Sequence, residues 1–142
     1  MYIASHPIWK NTTPYKTKIS AYKKPFHIAR IYMAKQYAKL FPRSMFIGIT
    51  GSVGKTTTAT AAAFVLSQKF SVVRTKSNLD TILNLPLTIF KINPKVKRVI
   101  LELGIEYPGE MDFYLSLIKP ATAIVTTISY QHTEYLNSLK ES

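Results

Sequence analysis

No cysteine occurs among the 142 residues. That excludes disulfide staples and thiolate metal sites, and it points to a reducing compartment. No apolar run reaches the ~18 residues of a membrane span, and the polar first ten residues lack the apolar core of a signal peptide. A cytoplasmic protein is the reading these absences give. Acidic residues are scarce: seven against 19 Lys and Arg, a net charge of +12, with none before Asp80. Residues 1–79 hold 13 of the cations and residues 80–142 hold six. Such a bias suits nucleic acid, an anionic membrane surface or a polyanionic substrate. No aromatic RNA-binding motif or zinc-finger spacing accompanies it, so no specific nucleic acid is expected. Glycine is sparse as well, five in all, and three of the five stand within residues 48–54.

Those three glycines belong to the most informative run of the chain. Residues 48–58 read Gly-Ile-Thr-Gly-Ser-Val-Gly-Lys-Thr-Thr-Thr, after an apolar stretch (45–49) and before an Ala-rich one (59–66). Strand, glycine loop and helix in that order build a phosphate cradle. Gly51 and Gly54 let backbone N–H groups turn inward, with Ser52 and Val53 between them. Lys55 brings a point charge to the β- and γ-phosphates, the Thr56 hydroxyl is a ligand for Mg²⁺, and Thr57 continues the first helical turn. The full pattern G-x-x-x-x-G-K-[ST] has glycine where this chain has Ile49, so the shorter form Gly51-x-x-Gly54-Lys55-Thr56 stands here. The implied ligand is a nucleoside triphosphate.

At this length the chain buries one α/β core. Residues 1–25 hold three prolines and no clear period, and read as a loose basic arm. Residues 26–41 have the period of a helix with an apolar stripe of Phe26, Ala29, Met33, Tyr37 and Leu40. Lys23, Lys24, Arg30, Lys35 and Lys39 accompany it. It reads either as a helix packed on the nucleotide domain with solvated lysines or as an interfacial helix making weak contact with an anionic membrane surface. From 45 onward strands and helices alternate: strand 45–50, helix 55–69 with Ala61, Phe64 and Val65 facing inward, and strand 71–75. An apolar segment at 82–92, interrupted by Pro86, precedes strand 98–103. A helix from 108–109 with a stripe of Met111, Tyr114, Leu115 and Ile118, strand 121–127 and a helical piece from about 131 complete the chain. The expected fold is α/β, a P-loop-type parallel sheet with flanking helices. The expected division is a basic N-terminal arm and helix, 1–44, before a nucleotide-binding part, 45–142.

Ligands of parallel sheets gather at strand C-terminal ends, which singles out three more places. Glu102, ending Val-Ile-Leu-Glu, has the position of a carboxylate that holds Mg²⁺, or else pairs with Lys97 or Arg98. His132, after strand 121–127, is a candidate ligand for a second cation or a surface residue. Ser77-Asn78-Leu79-Asp80 is a phosphate-side loop or a simple turn.

These stretches together resemble the Mur ligases, the amide-forming enzymes of peptidoglycan assembly. The loop at 48–58 looks like that family's ATP loop, which also lacks the leading glycine. Residues 77–80 with Leu-Pro-Leu-Thr at 85–88 resemble its Asn-rich loop. Leu-Glu-Leu-Gly at 101–104 and Pro-Gly-Glu-Met at 108–111 resemble the branch that adds D-alanyl-D-alanine. The stretch 118–127 ending at His132 resembles the strand and histidine that follow. The similarity covers residues 45–136, four motifs in order.

The resemblance implies ATP and Mg²⁺ as cofactors, and a UDP-muramoyl-tripeptide and D-alanyl-D-alanine as small-molecule substrates. The tripeptide's terminal carboxylate takes the γ-phosphoryl group, and the dipeptide amine attacks the acyl phosphate to form an amide. Lys55 stabilises the transferring charge, Thr56 and Glu102 share one Mg²⁺, Glu102 and His132 hold a second, and Asn78 lies near the phosphates. This sequence departs from the family at Thr127, where relatives usually carry Asn, and at Asp80, Thr81 and Asn84, where they usually carry Asn, Asn and Gly. The chain stops ten residues after His132, before the family's modified lysine, adenine pocket and C-terminal domain. Only 44 residues precede the first strand, too few for the usual UDP-substrate domain. The expectation is an incomplete central domain, a fragment or degenerate copy that does not turn over alone. Another Mur-type ligase, such as folylpolyglutamate synthase, or a non-catalytic basic nucleotide-binding module are the alternatives. A GTPase would show Asp-x-x-Gly and Asn-Lys-x-Asp, and neither is present.

Overall fold

A computed structural model of the chain describes Trp9 and residues 21–75, 81–105 and 109–129. Four strands, β1 (Phe46–Thr50), β2 (Val72–Arg74), β3 (Arg98–Glu102) and β4 (Thr122–Val125), form one sheet in the order β2-β3-β1-β4. Every pairing is parallel, with Ile49 beside Glu102 and Thr50 beside Val125. Parallel neighbours require crossovers, and the three here run through α2 (Lys55–Ser67), α3 (Thr81–Ile89) and α4 (Glu110–Leu117), while α1 (Lys24–Ala38) precedes β1.

Side chains alternate across the pleat, so each central strand feeds two cores. Ile49 and Ile100 point to one face, where Ala59 of α2 is buried and Ile47, Ala62, Ala63, Leu66, Val72 and Ile124 pack around them. Phe46, Val99 and Leu101 point to the other face. There they join Ile31, Ala34 and Ala38 of α1, Leu85 and Ile89 of α3, and Phe113, Tyr114 and Leu117 of α4. The Tyr37 hydroxyl donates to the Ile92 carbonyl at 2.7 Å, pinning α1 to the turn after α3.

Two helices bury a different face from the one their sequence suggests. In α1 the buried residues are Ile31, Ala34 and Ala38, while Phe26, Met33 and Leu40 stay exposed. Of the expected stripe, only Tyr37 packs inward. In α2 the alanine face meets the sheet, and Phe64 and Val65 are 69% and 66% exposed. The cause is distance: a face of Ala59, Ala62 and Ala63 lets the helix axis lie close to β1 and β3, which a Phe64 face would prevent. The segment interrupted by Pro86 is helical, α3, with the proline inside it. The lost N–H and ring clash ordinarily cost ~3 kcal/mol. Here the full burial of Leu85, Ile89 and Ile92 offsets that. Residues 85–88 are therefore helix, and residues 77–80 lie outside the described residues. The helical piece expected from about 131 lies outside the described residues.

Candidate functional site

The loop from Gly51 to Gly54 joins β1 to α2 at the C-terminal end of the sheet. Gly51 has φ +130° and Gly54 φ +86°, both in territory that side chains disfavour. At Gly51 space is also short, because a Cβ there would run into the Thr126 hydroxyl and the Thr127 backbone. Gly54 caps α2 in the left-handed conformation, and no side chain bonds the helix's first N–H groups. Those free donors and the helix dipole are what an anion meets there.

Lys55 folds back over the loop, its ammonium donating to the Gly51 carbonyl at 2.6 Å and the Ser52 carbonyl at 3.1 Å. The Thr56 hydroxyl donates to Glu102 Oε1 at 2.7 Å, joining residues 46 positions apart. Two of the sequence's candidates thus meet directly, a hydroxyl from the loop side and a carboxylate from the tip of β3. Arg98 lies at the other end of β3 with its guanidinium 4.6 Å from the centre of the Phe70 ring. Of the two readings of Glu102, the structure therefore has the carboxylate facing the loop rather than that arginine.

Two threonine side chains absent from the sequence reading, together with Ser52, hold this arrangement. The buried Thr75 hydroxyl accepts the Glu102 N–H at 2.8 Å, and the Thr75 N–H donates to the Ile100 carbonyl at 3.0 Å. The first bond fixes the tip of β3 just where its carboxylate turns toward Thr56. Beyond β4, the Thr126 hydroxyl donates to the Val53 carbonyl at 2.6 Å, and the Ser52 N–H to the Thr127 carbonyl at 2.6 Å. The Ser52 hydroxyl donates to the Ser129 carbonyl at 2.9 Å and accepts the Ser129 N–H at 3.0 Å. Threonine and serine at strand ends are too common to announce such roles. His132 and Asn78 lie outside the described residues.

The donor set suits a hard divalent cation. Hydroxyl and carboxylate oxygens within hydrogen-bond reach of one another are the ligands Mg²⁺ prefers, and it usually completes its shell with water and phosphate. Among the described residues there is no cluster of three or more His, Cys, Asp or Glu. There is likewise no helix among them long and apolar enough to cross a membrane.

Residues 49–141 match the Mur ligase middle domain. The chain belongs to the Mur ligase family. It is 38% identical over 94 residues to the UDP-N-acetylmuramoyl-tripeptide–D-alanyl-D-alanine ligase of Borreliella burgdorferi, covering 66% of this chain and 20% of that protein. The enzyme of the same name from Treponema pallidum is 37% identical over 106 residues, covering 75% of this chain and 23% of its own. Among solved structures, the MurF ligase of Thermotoga maritima in complex with ADP superposes with a TM-score of 0.73 at 26% identity, over 81% of this chain and 27% of that one. The chain thus spans about a quarter or less of the length of these relatives. The parallel α/β sheet expected from the sequence is the fold found, and the family resemblance is borne out.

Proposed function

We propose that this chain is the nucleotide-binding portion of an ATP-dependent amide ligase that adds D-alanyl-D-alanine to a UDP-muramoyl-tripeptide. The observation that carries the reading is the 2.7 Å hydrogen bond between Thr56 and Glu102, because it unites the phosphate loop with a carboxylate at the adjacent strand tip. The relatives bearing that ligase name, and the ADP in the Thermotoga complex, support it.

In this mechanism the Gly51–Gly54 backbone and the first N–H groups of α2 cradle the phosphates, with Ser52, Val53 and Thr57 shaping the cradle and Asn78 beside it. Lys55 swings from the loop carbonyls onto the β,γ-phosphates and neutralises charge as the γ-phosphoryl group passes to the substrate carboxylate. Thr56 and Glu102 hold Mg²⁺, which supplies charge neutralisation at the phosphates, and His132 with Glu102 holds a second. Carboxylate oxygen attacks phosphorus and ADP leaves; the dipeptide amine then attacks the acyl carbon, and phosphate leaves as the amide forms and the amine loses its proton. The setting is the cytoplasm. The basic segment 1–44 adds a weak contact with an anionic membrane surface.

The test is titration of the purified chain with a fluorescent ATP analogue and Mg²⁺. Binding is expected, with Lys55→Ala weakening it about 10- to 100-fold, the worth of one charge-assisted contact. Binding untouched by Lys55→Ala would refute the reading.

A further inference from the structure

We propose that the cleft between the C-terminal ends of α1 and α4 is a second anion site, and that its ligand is a small organic phosphate. The site is separate from the phosphate loop and does not depend on the function proposed above.

The described part of the molecule is electrically polar. Each helix ends, and each strand begins, at the end of the sheet opposite the phosphate loop. Lys69, Lys91, Lys95 and Lys97 stand there in the turns that lead into β2 and β3, and Arg98 is the first residue of β3. The described carboxylates are Glu102, at the tip of β3, and Glu110 and Asp112, in the first turn of α4. All of them belong to the other end.

Within this positive end, four further cations converge on one hollow. Lys35, Lys39, Arg43 and Lys119 line a cleft of about 540 Å³, and no carboxylate lines it. They come from three segments: the end of α1 with its cap, the turn before β1 and the turn before β4. The Arg43 Nε–H donates to the Lys119 carbonyl at 3.1 Å, which ties the two turns together. The Lys39 ammonium donates to Gln36 Oε1 at 3.0 Å. Both acceptors are neutral, so neither offsets a charge. The walls are apolar, among them Phe41, Phe46, Leu115 and Ile118.

A helix C-terminus favours a nearby cation, which accounts for Lys39 or Lys119 taken singly. It does not account for four cations gathered around one hollow. Charges of one sign in a cleft with low-dielectric walls focus the field and concentrate counter-anions. A phosphate monoester brings nearly two charges and three acceptor oxygens, and it suits the fork of an arginine. A carboxylate brings one charge. The apolar walls call for an organic body on that phosphate, and the volume is that of a small-molecule site. A nucleic-acid duplex would meet only the rim of such a hollow.

The experiment is titration of the intact, isotope-labelled chain with phenyl phosphate, followed by amide NMR shifts, with inorganic phosphate, benzoate and phenol as comparisons. Shifts are expected at Ala38, Phe46, Leu117 and Lys119, and unchanged in Lys55→Ala. Phenyl phosphate should bind about threefold or more tighter than inorganic phosphate and about tenfold tighter than benzoate. Lys35→Gln with Lys39→Gln, and separately Arg43→Gln with Lys119→Gln, should each weaken it about tenfold or more. The first pair leaves the bond between the two turns intact, so it decides the matter should the second pair fail to fold. Shifts confined to Gly51–Thr56, or lost in Lys55→Ala, overturn the site. Binding that survives the first pair, or that phenol matches, also overturns it. Inorganic phosphate binding as tightly as the ester, or duplex DNA displacing the ester from the same amides, overturns the ligand class.

Discussion

The two ends of β1 carry their chemistry in opposite ways. At its C-terminal end the phosphate loop is built largely from backbone: positive-φ glycines, carbonyls that receive Lys55, and the Ser52 N–H tied to the Thr127 carbonyl. At its N-terminal end the cleft of about 540 Å³ is lined by the long side chains of Lys35, Lys39, Arg43 and Lys119, which come from α1, the turns that follow it and the chain just after α4. One end is a shape that a single atom can ruin. The other is a sum of charges from which members can be removed one at a time.

Substitution at Gly51 tests the first half of that contrast most severely. Gly51→Val demands a β-branched residue at φ +130° against Thr126 and Thr127, and such strain costs on the order of 1–3 kcal/mol. Chemical denaturation is expected to show that loss, and the ATP analogue to bind at least about 100-fold more weakly. A variant that melts and binds like the parent would show that the loop is not held by its backbone. Thr75→Val should have an intermediate effect. It keeps the shape but removes the hydroxyl that accepts the Glu102 N–H, leaving a donor unsatisfied for about 1–3 kcal/mol. Its sharper signature is a weakened Mg²⁺ dependence of nucleotide binding, which Thr75→Ser should restore. Loss of stability with intact Mg²⁺ dependence would reduce Thr75 to a packing residue.

The smallest effect belongs to the opposite side, on α1. Desolvation, with Arg30 and Lys23 nearby, holds the His27 imidazole below its usual value near 6.5. The folded state therefore prefers the neutral ring, and the unfolded chain binds more protons between the two values. That stability is fully present above pH 6.5 and drains away as pH falls through the lowered folded value. The melting temperature should thus decline slightly more steeply on acidification below pH 6.5 than it does in His27→Gln. Identical slopes would mean that His27 senses nothing of its surroundings.

Comparison of the two ends also shows what sequence can reveal. The loop was readable because glycine at 51 and 54, followed by Lys55 and Thr56, has few other uses after an apolar strand. Glu102 was readable because a carboxylate ending an apolar run must sit at a strand tip. The faces of α1 and α2 were not. Both helices are apolar on more than one side, and a 3.6-residue period says that a stripe exists, not which stripe meets the sheet. Ranking by hydrophobicity favoured Phe64 and Val65, whereas closeness of approach favoured Ala59, Ala62 and Ala63. Thr75 and Thr126 escaped because their partners, the Glu102 N–H and the Val53 carbonyl, lie 27 and 73 positions away.

Four hydrogen bonds cross from the residues between Gly51 and Gly54 to residues 126–129. The loop and the exit of β4 are therefore stitched into one piece, and neither moves without dragging the other. A change of loop shape around a phosphate becomes a tug on the chain leaving the sheet, in the direction of His132. The exposed Ile128, which sits within that stitched stretch, is thus a natural place for a spectroscopic label that reads what the loop holds.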